Sequence, residues 1–206
     1  MKKIDVGDPV VFEPGFRHLS DDYYSGYGFD DKAGCFMLLK CLEQFKKVKP
    51  TYNTIFLFSA QEETGSSKIF PVVKKYKPSL VIELDVTFAT DYGDFDMMSA
   101  QAGKCELGKG ISLYRGVDIF QKGVELCEEI AKEKKIPYQK QAGEGSIGYT
   151  SLEVTDNEYG IYAMVFGIPL RNMHAPTEVV HYQDLLTGTK LLKEFLTNKK
   201  LKDILD

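Results

Sequence analysis

Four places in the sequence put acids or a histidine where chemistry is usually done. Asp30-Asp31 precedes a helical pattern, Glu62-Glu63 closes an apolar run, Asp85 lies at the end of a second such run, and His174 follows a third. Carboxylates bind divalent cations, and a carboxylate beside a bound cation can take a proton from water. Adjacent residues leaving a strand point in different directions, so Glu62 and Glu63 are expected to divide these two tasks. Each place also has a plainer reading when taken alone. An Asp at a helix start is an ordinary cap, a Glu-Glu pair is a solvated turn, and a lone loop histidine is a surface residue. The cap reading accounts for only one of the two aspartates.

The elements around these residues decide between the readings. Thr54 to Ser59 carries only aliphatic, aromatic and hydroxyl side chains, which predicts a strand buried on both faces that ends at Gln61-Glu62-Glu63. Apolar residues at 33, 36, 37, 38, 39, 41, 42 and 45 predict a largely buried helix over 32–45 behind Asp30-Asp31. A short helix over 68–77, interrupted by Pro71, leads into a second buried strand over 79–87 that contains Asp85. Strand, helix and strand in succession imply a right-handed parallel crossover, with Asp85 at the sheet edge that carries Glu62 and Glu63. Further on come a short strand at 111–114, an amphipathic helix over 117–134 and a strand start at 136–138. A turn-rich loop at 143–148, a third buried strand at 161–166 and a final helix from 182 to about 196 complete the series. The opening predicts a turn at Gly7-Asp8-Pro9 and a short strand at 10–12, and the Gly-, Asp- and Tyr-rich stretch 14–28, with His18, reads as a loop.

These elements describe an α/β domain with a mostly parallel central sheet flanked by helices. Ligands in such sheets bind at the carboxyl ends of the strands. Asp30, Glu62, Glu63, Asp85 and His174 each fall at or just after such an end or at a helix start. A carboxylate-rich set with one histidine suits zinc, cobalt or manganese, and shared carboxylates let two ions sit close together.

Bulk properties remove other classes. The chain has 206 residues, 43% hydrophobic, enough for one sizeable core. Net charge is -4 with a pI near 5.5, and no basic block interleaved with aromatics is present, so no nucleic-acid partner is expected. Cys35, Cys41, Cys105 and Cys127 lack Cys-x-x-Cys spacing and read as reduced core residues. No apolar run reaches spanning length and no signal-peptide pattern follows Met1-Lys2-Lys3, so the expected location is the cytoplasm, with no membrane partner.

Several motifs together resemble one family. Gly28-Phe29-Asp30-Asp31-Lys32-Ala33-Gly34, Phe58-Ser59-Ala60-Gln61-Glu62-Glu63-Thr64-Gly65, Leu84-Asp85-Val86-Thr87, Gly108-Lys109-Gly110, and Gly167-Ile168-Pro169 followed by His174-Ala175-Pro176-Thr177-Glu178-Val179 occur in the order and approximate spacing of metallopeptidase family forty-two. That family contains the glutamyl, deblocking and tetrahedral aminopeptidases, and the resemblance runs over nearly the whole chain. It implies a zinc-dependent exopeptidase fold of the phosphorylase/hydrolase-like type and removal of N-terminal residues from peptides. The implied cofactor is a divalent metal, zinc or cobalt, as one or two ions. In the family pattern Asp30 bridges the ions, Glu63 and His174 complete one site, Asp85 belongs to the second, and Glu62 is the general base toward the activated water.

The resemblance also implies differences. The chain lacks the family's N-terminal part, with its His-x-Asp motif, and most of the inserted dimerisation domain. On this reading residues 1–20 are a remnant of that β-rich insert and 21–206 are the metallopeptidase-like catalytic domain. A Gly-Thr-Asp stretch of the family stands here as Gly148-Tyr149-Thr150-Ser151, and Lys32 replaces an arginine. Three readings follow. The leading one is a metal-dependent aminopeptidase acting on peptides; the alternative is a non-catalytic or degenerate homologue serving in binding or assembly. The third is a plain α/β domain with an incidental cation. A sheet edge left open by absent strands is expected to drive self-association.

Overall fold

The computed structural model describes residues 4–13, 15–64, 69–93, 101–142 and 160–205. Two sheets share one core. The larger is built from β3 (Leu80–Phe88), β4 (Ile111–Arg115), β5 (Tyr138–Ala142) and β6 (Tyr162–Leu170), in the order β3-β6-β4-β5. β3 runs parallel to β6 from Leu80↔Tyr162 to Phe88↔Leu170, β4 runs parallel to β5, and β4 meets β6 antiparallel at Leu113↔Phe166. Two of the three pairings are parallel, so the mostly parallel α/β reading holds.

The smaller sheet is antiparallel, with β2 (Tyr23–Gly26) between β1 (Phe16–Ser20) and β7 (Glu178–His181). It corrects the expected loop over 14–28. A tight turn at Asp21-Asp22, with Asp21 at φ 47°, folds two tyrosine- and phenylalanine-containing strands into a hairpin whose other neighbour lies far away in sequence. A turn closes between Asp5 and Asp8, ahead of the expected Gly7-Asp8-Pro9, and residues 10–12 belong to no strand.

Helix α1 (Phe29–Phe45) packs against β3 and against α4 (Tyr182–Leu196), and α3 (Gln121–Lys134) and the short α5 (Lys200–Leu205) pack alongside. α1 buries one face only, through Ala33, Gly34, Met37 and Cys41, and leaves Leu39 exposed. α3 begins at Gln121, four residues later than the apolar spacing predicts. The fully buried side chains Met37, Ile111, Leu113, Met164, Phe166, Ile168, Leu191 and Phe195 form the centre of the core. Burying a side chain of this size contributes roughly 1.5–3 kcal/mol. α2 (Ile69–Tyr76) carries Pro71 in its first turn, where a missing N–H costs nothing, and packs through Val73 and Ile69 on Ile161 and Val81. All four cysteines are free; Cys41, Cys105 and Cys127 are buried.

The largest departure concerns residues 54–59. They form no strand, and none of their side chains is buried: Ile55 is 52% and Phe58 44% exposed. Strand structure requires a neighbour for its backbone groups, and no described strand pairs with this stretch. The expected pairing through a crossover is therefore replaced by the long-range partnership of β3 with β6. The loop expected at 143–148 lies outside the described residues.

Candidate metal centre

The two aspartates of α1 have separate roles. Asp30 (φ -81°, ψ 108°) and Asp31 (φ -112°, ψ 56°) are not helical, so the regular helix starts after them. The Asp31 carboxylate accepts the Gly34 N–H at 2.9 Å and caps that start. Gly34 is required there, because a Cβ would stand 2.8 Å from the Leu84 carbonyl oxygen of β3. With the cap supplied by Asp31, the Asp30 carboxylate is left for other work.

Glu62 and Glu63 follow Gln61, whose φ of 66° turns the chain, and lie in a single 3-10 turn over Glu62–Thr64. His174 sits between β6 and β7 with φ 62°. Its Nε2 is 3.1 Å from Asp30 Oδ2 and 3.4 Å from Glu63 Oε2. One donor atom from each of Asp30, Glu63 and His174 lies within 4.8 Å of the other two. His174 follows Asp30 and Glu63 by more than a hundred positions in the sequence, and the fold brings the three together. Asp85, on β3, and Glu62, half-buried beside Glu63, are not part of the trio, but both act electrostatically on the same region.

The aspartates of this region are poorly hydrated, whereas Glu63 and His174 are exposed. The Asp30 carboxyl is pushed up to about 7, first by burial and then by Glu63. Burial raises Asp85 to about 8, helped by Glu83, Asp30 and Glu62, and raises Asp31 to about 9, helped by Asp85. Carboxylates held close repel one another, most strongly where burial takes them from water, as at Asp30, Asp31 and Asp85. A divalent cation offsets that repulsion, and two carboxylates with one imidazole suit the zinc-like ions, so the residues present fit the group.

Sequence reasoning assigned no role to the residue that joins the Asp30 and His174 segments. Glu178 is 2% exposed at the start of β7. Its Oε2 accepts the N–H of Phe29 at 2.6 Å and of Asp30 at 3.3 Å, and its Oε1 accepts the N–H of His174 at 3.3 Å. Only its place four residues after His174 could have singled it out. Asp184, 1% exposed in the first turn of α4, was also missed. It accepts the N–H groups of Gly108 and Gly110 at 2.7 Å each and fixes the Gly108-Lys109-Gly110 loop. The neighbouring Asp91–Arg171 ion pair, with two bonds of 2.8 Å, joins the segment before that loop to the end of β6. His18 lies on exposed β1, with Nε2 2.6 Å from the Asp21 carbonyl oxygen and its ring against Tyr24, and takes no part in the trio. The Gly148–Ser151 stretch lies outside the described residues.

Known proteins share both the sequence pattern and the fold. A protein of Acetivibrio thermocellus that carries an aminopeptidase name is 32% identical over 197 residues, spanning 94% of this chain and 57% of its own length. The lysyl aminopeptidase of Pyrococcus furiosus is 28% identical over 200 residues, spanning 96% of this chain and 55% of its own. Among solved structures, the aminopeptidase APDkam598 of Desulfurococcus kamchatkensis superimposes with a TM-score of 0.83 at 26% identity, over 94% of this chain and 54% of that one. The TET aminopeptidase of Thaumarchaeota archaeon SCGC AB-539-E09 gives 0.86 at 22% identity and shows the same fold. This chain thus spans about half the length of the relatives it matches. The family model described as M42 glutamyl aminopeptidase matches residues 1–191, and the chain belongs to that family.

Proposed function

We propose that this chain carries the metal-binding catalytic part of an aminopeptidase that removes N-terminal residues from peptides. The observation that carries the reading is the convergence of Asp30, Glu63 and His174 within 4.8 Å, with Glu62 next to Glu63 in the same turn. Asp30, Glu63 and His174 would hold one divalent ion, zinc or cobalt, and Asp30 and Asp85 would serve a second. The ion supplies Lewis acidity that brings the pKa of water down toward neutrality. Glu62 is the proton acceptor at its carboxylate, placed by the turn that also places Glu63. Glu178 holds the backbone of Asp30 and His174 so that both side chains address one point. The carboxyl ends of β3 and β6 position the remaining groups, in keeping with the general location of sites in open α/β sheets.

The test joins metal content to turnover. After incubation with zinc or cobalt and removal of excess, the chain is expected to retain stoichiometric metal that Glu63→Ala loses. Hydrolysis of an aminoacyl anilide is expected to fall by roughly 10²–10⁴-fold in Glu62→Gln while metal is retained. Full metal occupancy without any hydrolysis would overturn the catalytic reading in favour of a binding or assembly protein. No metal in either protein would overturn the assignment of ligands.

A further inference from the structure

His174 reaches the acidic centre from a short loop that does little to hold its own shape. The His174 side chain is 63% exposed, so burial does not fix it. Asn172 and His174 have φ of 57° and 62°, a left-handed backbone that residues with a Cβ resist. Within the loop the Ala175 N–H donates to Asn172 O at 3.1 Å, and the His174 N–H reaches Glu178 at a long 3.3 Å. Most of the hold comes from outside. Arg171 and Val179 close the neck, exchanging two backbone hydrogen bonds of 3.0 and 3.1 Å. Two consecutive residues then grip the limb that leads to His174. The Asp91 carboxylate accepts from Nε and Nη2 of Arg171 at 2.8 Å each, and the Tyr92 hydroxyl accepts the Asn172 N–H at 2.8 Å. The Arg171 guanidinium lies 5.7 Å from the centre of the Tyr23 ring and 5.9 Å from that of Tyr92, and the Leu107 N–H pins Asp91 at 3.0 Å. A guanidinium bound through two bonds to one carboxylate has one orientation, which a single bond would not impose.

Asp91 and Tyr92 come shortly after the end of β3, the strand that contains Asp85. The strand that carries one candidate ligand thus leads directly into the clamp on the loop that carries another. We propose that Asp91 and Tyr92 are positioning residues for the metal centre, setting through Arg171 and Asn172 where His174 Nε2 stands relative to Asp30 and Glu63. Glu178 holds the loop from its other limb, so the imidazole is placed between two grips. This inference rests on the reading of Asp30, Glu63 and His174 as metal ligands. An ion pair with only a structural task would lower stability and leave the ligands of a folded chain unchanged. A clamp on a ligand changes the surroundings of the metal while the fold persists.

Two variants test the clamp. Asp91→Asn removes the charge behind both bonds to Arg171, and Tyr92→Phe removes only the hydroxyl that holds Asn172. Zinc affinity is read by competition with a chelator, ligand geometry by the visible absorption of the cobalt-loaded chain, and loop order by amide hydrogen exchange of the metal-free chain. Asp91→Asn is expected to weaken zinc binding roughly tenfold to a hundredfold, as loss of an outer partner of a ligand does. Tyr92→Phe is expected to weaken it roughly threefold to tenfold, the worth of one hydrogen bond. Both are expected to shift the cobalt spectrum. In the metal-free chain the Asn172 amide is expected to exchange roughly tenfold faster in Tyr92→Phe, while β3 and β6 keep the protection of the parent, which verifies the fold. Variants that match a metal-loaded parent in zinc affinity and cobalt spectrum overturn the proposal and leave the metal reading standing. Affinity that falls only where β3 and β6 also lose protection overturns it too, because that is a general loss of structure. A parent chain that holds no metal overturns both readings together.

Discussion

β6 and residues 54–59 both lead to the acidic centre, one toward His174 and the other to Glu62 and Glu63, yet they are held in different ways. β6 lies between β3 and β4, and eight of its nine residues are buried. In 54–59 no residue is buried, and the described ring contact is Phe56 on Phe45, with centroids 5.9 Å apart. The two stretches have similar apolar content. A run of apolar residues therefore states a capacity for burial, and the neighbours available to it decide whether that capacity is used.

The strongest way to break this comparison is to cut into β6. Phe166→Ala is expected to lower unfolding stability by about 3–5 kcal/mol in chemical denaturation, because Phe166 is fully buried between sheet and helices. A loss under about 1 kcal/mol would show that β6 is not the anchor. The charge where the two stretches meet gives a second, smaller test. Asp31 has a raised folded pKa of about 9, so in the metal-free chain its contribution is fully present below its unfolded value of 3.8 and is lost as pH rises through 9. Asp31→Asn keeps an acceptor for Gly34 N–H and removes the titration. It is expected to flatten the decline of stability between about pH 5 and 8 by up to about 1.4 kcal/mol per pH unit. An unchanged slope would mean that the site is better hydrated than its burial indicates. The smallest effect sharpens the contrast: Phe58→Ala is expected to change stability by no more than about 0.5 kcal/mol in the chain alone. A cost like that of Phe166→Ala would mean that 54–59 is packed as firmly as β6.

Much of the fold was legible because its signals are local. α1, α4, β3 and β6 announce themselves through periodic or continuous apolar residues, and the acids and His174 were expected together because they follow strand ends or begin a helix. The β1–β2 hairpin was not legible. Its Tyr, Gly and Asp residues look like loop material until β7, more than 150 residues later, comes alongside. The pairing of β3 with β6 is likewise a long-range choice that no local pattern encodes. Glu178 and Asp184 escaped notice because each satisfies backbone N–H groups of distant segments, and a single acid in a sequence does not say which backbone it will meet.

The Glu178 carboxylate spans two backbones, with Phe29 and Asp30 on one side and His174 on the other. Two segments that share one acceptor cannot loosen independently, since freeing either leaves a buried carboxylate short of donors and weakens its hold on the other. The centre is thereby a cooperative unit, in which partial disorder is costlier than none or all. Its loss on heating should follow a threshold rather than a gradual decline.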